Sequence, residues 1–237
     1  MQRILSYLRK AVEDYNMIQD GDRIAIGVSG GKDSLTLLTA LKALQRFYPK
    51  KFELEAITLT MGFDNFDLSG VQKLCDELGI NYTIKPTNIA EVIFDIRKET
   101  NPCSLCAKMR RGALHDVALE LGCKKVALGH HHDDVIETFF LSLFFEGRIN
   151  CFSPVTYLDR KDIYLIRPMI YVPEKDIRGF SRRKALPVVA SPCPANGNTK
   201  RQYIKELLAD LNRENKGLKT RLFGAIQRSE IEGWKLD

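Results

Sequence analysis

Arg23-Ile-Ala-Ile-Gly-Val-Ser-Gly-Gly-Lys-Asp-Ser34 decides the fold. Its first half has the continuous apolar character of a strand buried on both faces. From Asp33 to Phe47 the apolar residues fall at 35, 37, 38, 41 and 44, a helical period, and Pro49 punctuates the end. Strand and helix are therefore joined by Ser29-Gly30-Gly31-Lys32, with Asp33 and Ser34 opening the helix. Paired glycines let the backbone turn tightly and bring its N–H groups close to an anion. The helix start adds its positive dipole end, so phosphate is the natural guest. The loop is not a Walker A motif, which would need Gly at Ile26 and Ser or Thr at Asp33, nor the G-x-G-x-x-G of a dinucleotide site.

The same beat continues outward. An opening amphipathic helix is expected at about 2–17, strands at 54–61, 81–85 and 124–130, and helices near 67–78, 104–121 and 133–146. Strands separated by helices on this scale imply right-handed crossovers and an open, parallel, five-stranded α/β sheet covered on both faces. Ligands of such sheets bind at the carboxyl ends of the strands. After residue 150 an extended pair is expected around SPVTYL and IYLIRPM. Helices then run from Pro173 to about 185, from Lys200 to Arg213 and from Gly217 to Arg228. The expected division is an α/β domain over 1–170, carrying the N-terminal helix, and a basic helical extension over 171–237 packed on it.

With 44% hydrophobic and 28% charged residues among 237, the composition excludes fibrous, disordered and disulfide-stapled classes. The most apolar run, VIETFFLSLFF at 135–145, contains an acid and falls short of a membrane span, so no membrane association is expected. The first 15 residues mix charges with apolar residues and lack the core of a secretory signal, which makes a cytoplasmic protein the expectation. Residues 1–170 hold 22 Lys or Arg against 22 Asp or Glu, whereas 171–237 hold 14 against 8. A cationic surplus confined to one segment suits a polyanion-binding face, and equally a solvated helical surface.

Six cysteines in a reducing compartment are read as ligands, nucleophiles or core residues. Cys75, Cys123 and Cys151 stand alone beside apolar residues and read as small buried hydrophobes. Cys103 and Cys106 form a C-x-x-C at an expected helix start, where the helix N-terminus, assisted by Arg110 and Arg111, would lower thiol pKa values. That spacing admits a redox pair, a structural zinc site or a cluster site.

SGGKDS resembles the signature of the PP-loop ATP pyrophosphatases. The resemblance implies an adenine-nucleotide α-hydrolase-like fold, ATP bound at Ser29, Gly30, Gly31, Lys32, Asp33 and Ser34, and substrate activation by adenylation with release of pyrophosphate. Gly129-His130-His131-His132-Asp133-Asp134, followed by Glu137-Thr138, resembles the H-H-x-D-D-x-x-E-T block of the PP-loop enzymes that modify tRNA. It makes Gly129 and His130 nucleotide contacts and Asp133 and Asp134 candidates for metal binding or substrate activation, with Mg²⁺ near Asp33 or that pair, bridging phosphate oxygens. Successive histidines leave the chain in different directions, so zinc at His130–His132 is disfavoured, and at least one of them is expected to bond loop backbone.

Cys103-Ser-Leu-Cys106-Ala-Lys-Met-Arg110-Arg111-Gly112 resembles a segment of the tRNA 2-thiocytidine synthetase family, and Cys193 lies where that family supplies a further cysteine. Here Cys193 is followed by Pro194-Ala195-Asn196-Gly197, where members often carry a second cysteine. The resemblance implies a [4Fe–4S] cluster on Cys103, Cys106 and Cys193 with one iron open. It further implies tRNA as substrate, and sulfide or a cysteine desulfurase as sulfur source; a homodimer is compatible with it. A pyrimidine carbonyl, at cytidine C2, would be adenylated and its oxygen replaced by sulfur. Backbone around Thr58 to Met61 would read the adenine edge, and Lys32, Arg110 and Arg167 would balance negative charge. Arg167 has a competing reading as a helix cap or the partner of an acid. Rival readings are a 2-thiouridine synthetase or other PP-loop sulfurtransferase, and a non-catalytic nucleotide-binding redox sensor.

Overall fold

The computed structural model describes residues 1–63, 66–97, 102–190, 193 and 199–235. The chain opens with α1 (Gln2–Asp14) and then alternates β1 (Asp22–Gly27), α2 (Lys32–Leu44), β2 (Phe52–Thr60), α3 (Ser69–Leu78) and β3 (Asn81–Pro86). A π-helical turn at Glu91–Ile96, which periodicity does not announce, leads to α4 (Pro102–Glu120), β4 (Lys125–Ala127) and α5 (His132–Glu146). A hairpin of β5 (Val155–Leu158) and β6 (Ile163–Ile166) precedes α6 (Glu174–Arg183), α7 (Lys200–Glu214) and α8 (Leu218–Gln227).

The sheet order is β3-β2-β1-β4-β6-β5. Five strands are parallel, as expected, and the sixth, β5, pairs antiparallel with β6 at the edge. The sixth strand arises because the four-residue connection at 159–162 can only close a hairpin, and β6 then turns its other edge to β4. From β1 the chain winds outward through β2 and β3, then returns to place β4 on the opposite side of β1. The reversal opens a crevice at the carboxyl ends of β1 and β4, where open α/β sheets bind ligands.

Alternation along β1 sends Ile24 and Ile26 into the larger core and Ala25 to the face covered by α4, with Leu114, Val117 and Ala118. The larger core runs without interruption from Ile4 and Leu8 of α1, through the sheet, to Ile204, Leu208 and Phe223 of α7 and α8. The helices after residue 170 thus share the apolar interior of the α/β layers. No helix among the described residues is long and apolar enough to cross a membrane.

Candidate active site

Residues 28–34 carry the chain from β1 into α2. Ser34 Oγ accepts the Ser29 N–H at 3.1 Å and donates to the Gly31 carbonyl at 3.0 Å, so the loop is fixed from within. Gly30 has φ +78°, a left-handed conformation that disfavours any side chain. Its carbonyl accepts the Val189 N–H at 3.0 Å, tying the loop to the segment before Cys193. No side chain caps α2, which leaves its first amides to an anion. Lys32 Nζ lies 3.0 Å from Asp33 Oδ2 and 3.2 Å from Glu174 Oε1.

The second loop is pressed onto the first. A Cβ on Gly129 would lie 3.1 Å from the Ser34 nitrogen and 3.2 Å from the Asp33 carbonyl carbon, so backbone approaches backbone here. His131 then caps α5: its Nδ1 accepts the Asp134 N–H at 3.4 Å while Asp134 Oδ2 accepts the His131 N–H at 3.0 Å. His131 Nε2 faces Asp33 Oδ1 at 3.7 Å. The expected backbone role for one histidine is met by this capping pair. His130 stacks on Phe152 with ring centroids 4.8 Å apart; burial first, then the Arg167 charge, pushes it down to about 4, which keeps it neutral.

The adjacent carboxylates Asp133 and Asp134 do not converge. Neighbouring residues at a helix start point in different directions. Asp134 closes the cap and has its other oxygen 3.6 Å from Arg201. Asp133 turns away: Oδ2 accepts the Glu174 N–H and Oδ1 accepts Lys219 Nζ, both at 2.8 Å. Although burial opposes it, the nearby His132 ring and the hydrogen bonds from the Glu174 amide and Lys219 hold its carboxyl well below the usual range. With its oxygens committed, Asp133 does not fit the expected Mg²⁺ role. Asp33 does fit, since its Oδ1 is buried without a hydrogen-bond partner and it stands in the first turn of the helix that follows the phosphate loop. The Thr58 side chain is structural, and the expected adenine contact there falls to backbone. Its hydroxyl donates to the Val28 carbonyl at 2.6 Å and accepts from Tyr82 at 2.7 Å, pinning β2 to the end of β1 instead of facing a ligand.

Cys103, Cys106 and Cys193 line one cavity of about 290 Å³ together with Ser29, Gly31 and Arg110. Met61, Phe63, Phe66, Phe94 and Val189 give it apolar walls. Cys103 is exposed and the other two half-buried. The expected lowering by the helix start is not what Cys106 experiences: burial pushes its thiol up, Arg110 opposes, and the nearby Cys193 and Cys103 raise it further. Among the described residues no three His, Cys, Asp or Glu close on a single ion. A cluster spreads its thiolates over separate irons and asks for a wider triangle than zinc does. Thiols at one cavity wall, within electrostatic reach of one another and beside a guanidinium, fit such a group. Residues 194–197 lie outside the described residues. Cys75, Cys123 and Cys151 are buried, and burial pushes each up to about 11, in keeping with inert core thiols.

Among the described residues Arg167 neither caps a helix nor meets an acid. It is buried over Phe152, and its guanidinium donates to the Ser153 carbonyl at 2.5 Å and to Thr156 Oγ1 at 3.0 Å; burial draws it down to about 10. Periodicity did not single out Glu174, the first residue of α6, which gathers Lys32, Lys205 at 2.7 Å and Arg178 at 3.7 Å. Nor did it single out Arg201, which ties Asp134, Glu137 and Thr138 to α7. An acid after proline and an arginine in a basic helix carry no spacing signal. The aromatic walls were equally unmarked.

Burial pushes Glu174 up, but the Lys205 and Lys32 contacts outweigh it and bring the carboxyl down to about 2, from 4.5. A depressed carboxylate stabilises the fold above its unfolded value, and that contribution is lost as pH falls from about 4.5 towards 2. Because both lysines are about one-third exposed, the contribution is discounted to about 2 kcal/mol. Urea unfolding at pH 5.5 and pH 3 should show wild type losing about 1 kcal/mol more than Glu174→Gln, pH 3 lying still above the folded value; equal losses would refute the assignment.

A family model described as the PP-loop domain matches residues 2–211. The tRNA-cytidine(32) 2-sulfurtransferase of Geobacter sulfurreducens is 39% identical over 228 residues, 95% of this chain and 89% of the relative. The protein of the same name from Pseudomonas fluorescens is 38% identical over 228 residues, 95% of this chain and 83% of its own. Among solved structures, the U34-tRNA thiolase NcsA from Methanococcus maripaludis, with its [4Fe-4S] cluster, has a TM-score of 0.77 at 26% identity. That match covers 95% of this chain and 78% of the thiolase. The NH3-dependent NAD synthetase of Campylobacter jejuni, at TM-score 0.53 and 19% identity over 95% and 91% of the two chains, shares the fold. The phosphate loop at the β1/β4 crevice and a model match from the first helix to the seventh lead to one conclusion: the chain belongs to the PP-loop domain family.

Proposed function

We propose that this chain is an ATP-dependent tRNA sulfurtransferase that adenylates a pyrimidine carbonyl, cytidine C2 being the first choice, and replaces its oxygen with sulfur. One observation carries the reading: the phosphate loop and the thiols of Cys103, Cys106 and Cys193 share a single cavity. The names borne by relatives about 39% identical favour cytidine as the base.

ATP lies with its phosphates on the free amides of α2 and on Lys32, which leaves Glu174 or Asp33 to meet them. Mg²⁺ at Asp33 would neutralise phosphate charge. The pyrimidine oxygen attacks the α-phosphorus and its bond to pyrophosphate breaks. Sulfide, released from the persulfide by a thiol reductant where a cysteine desulfurase is the source, then adds to the activated carbon, and AMP departs with the original oxygen. Arg110 at the cavity wall stabilises the anionic charge that develops. Apolar walls from Met61, Phe63 and Phe94 keep water from the adenylated base. A [4Fe–4S] cluster on the three cysteines, when bound, supplies a place to hold the sulfur. The basic helices after residue 171 follow the tRNA backbone, in the cytoplasm, where thiols stay reduced.

A second base is favoured by one observation, the likeness to a thiolase named for U34. Anaerobic incubation with ATP, tRNA and sulfide, followed by mass spectrometry of the nucleosides and pyrophosphate assay, tests both. The expected result is 2-thiocytidine with stoichiometric pyrophosphate. 2-Thiouridine would move the base assignment. Pyrophosphate release without thiolation, or neither product, would refute the sulfurtransferase.

A further inference from the structure

On the other side of the 131–134 turn from the phosphate loop lies a second cavity, of about 560 Å³, which the chemistry above does not use. Lys10 of α1, Lys175 and Arg178 of α6, and Lys219 of α8 reach it. Tyr7, Tyr171, His132 and Phe223 give it ring walls, with His132 stacked on Phe223 at 4.3 Å between centroids. Its carboxylate, Asp133, has both oxygens committed to Lys219 and the Glu174 amide. Among the described residues, Glu174 is the one carboxylate within 4 Å of Arg178 and is shared with Lys32 and Lys205, while the Lys175 side chain has no hydrogen bond or ion pair. With Lys10 held by Asp14 and Lys219 by Asp133, the cationic charge left over at this half-open, ring-lined space is that of Lys175 and Arg178.

We propose that this cavity seats one nucleotide of a single-stranded RNA segment, its phosphodiester on Lys175 and Arg178 and its base against Tyr7. The proposal rests on the tRNA reading above and names where a strand flanking the modified base is held. Rings accept any base by stacking, and cations on flexible stems track a phosphate without fixing sequence. The volume suits one nucleotide. A strand is favoured over a free mononucleotide by the fate of the α6 amide. The Glu174 N–H, which would greet a terminal phosphate dianion, is already given to Asp133. A phosphodiester, with one charge, needs only the lysine and the arginine. The surplus of 14 cations over 8 acids after residue 170 continues the track beyond the cavity.

The test measures binding of a full-length tRNA transcript to the intact, anaerobically prepared protein by anisotropy across a salt series. Variants are Lys175→Ala/Arg178→Ala, Tyr7→Leu, which keeps apolar bulk, and Arg46→Ala, an exposed cation just past α2. The double variant should bind about tenfold more weakly and lower the log–log salt slope by about 1, the single phosphate being lost. Tyr7→Leu should weaken binding about tenfold with the slope unchanged. Arg46→Ala should match wild type. A double variant with wild-type affinity and slope would overturn the seat while leaving the tRNA reading intact; a wild type that binds no tRNA would overturn both. CMP and inorganic phosphate are titrated in parallel. If they bind wild type, lose binding in the double variant, and tRNA binding is unmoved, the cavity serves a small phosphate compound and the RNA proposal fails.

Discussion

Replacing Cys103, Cys106 or Cys193 by alanine should each strip iron and acid-labile sulfide from the anaerobically prepared protein and abolish tRNA thiolation. The same replacement at Cys75, Cys123 or Cys151 should leave the iron content unchanged. The contrast follows from where the thiols sit. The first three border one cavity and none is fully buried, so removing a sulfur there opens little core volume. Cluster-free protein carrying those changes should unfold within about 0.5 kcal/mol of cluster-free wild type. The other three are packed among apolar residues and pushed up to about 11, hence protonated, and a protonated thiol is a poor ligand. Their truncation should cost about 1 kcal/mol of stability each and no iron. Cys106 carries the sharpest version. Burial and its two thiol neighbours raise it when no metal is present, so loading should release protons as the thiols ionise. Retention of iron and sulfide by any one of the three cavity variants would remove that residue from the ligand set. Retention by all of them would leave the shared cavity without its cluster.

How much of this was legible in the sequence depends on whether a residue's role is local. The phosphate loop is local: two glycines, a lysine and a helix start are contiguous, and their geometry follows from backbone rules. The alternation of strands and helices was equally legible, because each element buries its own stripe. Cys103 and Cys106 share one turn region of α4, whereas Cys193 reaches them through the tie of Val189 to Gly30, which no spacing encodes. The acids after the histidines show the opposite case. Asp133 and Asp134 read as a pair, yet the helix that starts between them and the loop sends one to the cap and the other to Lys219, 86 residues on. Glu174 was invisible for the same reason: its partners lie on three different segments. Pattern reading finds what one stretch of backbone does and misses charges recruited from several.

Gly129→Ala should cost at least tenfold in kcat/KM for pyrophosphate release, while Gly112→Ala, in the other motif, should be neutral or slightly stabilising. Both glycines look alike in sequence, each inside a recognisable block. Around Gly112 a new Cβ meets nothing within 4 Å, and the residue sits in the interior of α4, where alanine is favoured over glycine by about 1 kcal/mol. At Gly129 the new Cβ would sit 3.1 Å from the Ser34 nitrogen and 3.2 Å from the Asp33 carbonyl carbon. Those atoms are backbone of the phosphate loop, fixed by the Ser29–Ser34–Gly31 hydrogen bonds, and cannot swing aside as a side chain would. The two loops must then part by some tenths of an ångström. Such a shift moves Asp33 relative to His131 and disturbs the α2 amides on which the phosphates are to rest. Misplacement on the scale of 1 Å can cost about a hundredfold in rate, and the overpacking itself costs about 1–3 kcal/mol of stability. Steady-state pyrophosphate release and thermal unfolding of the two variants, measured side by side, decide the matter. Wild-type kinetics in Gly129→Ala would mean that contact between the β1 and β4 loops does not hold the nucleotide site in shape.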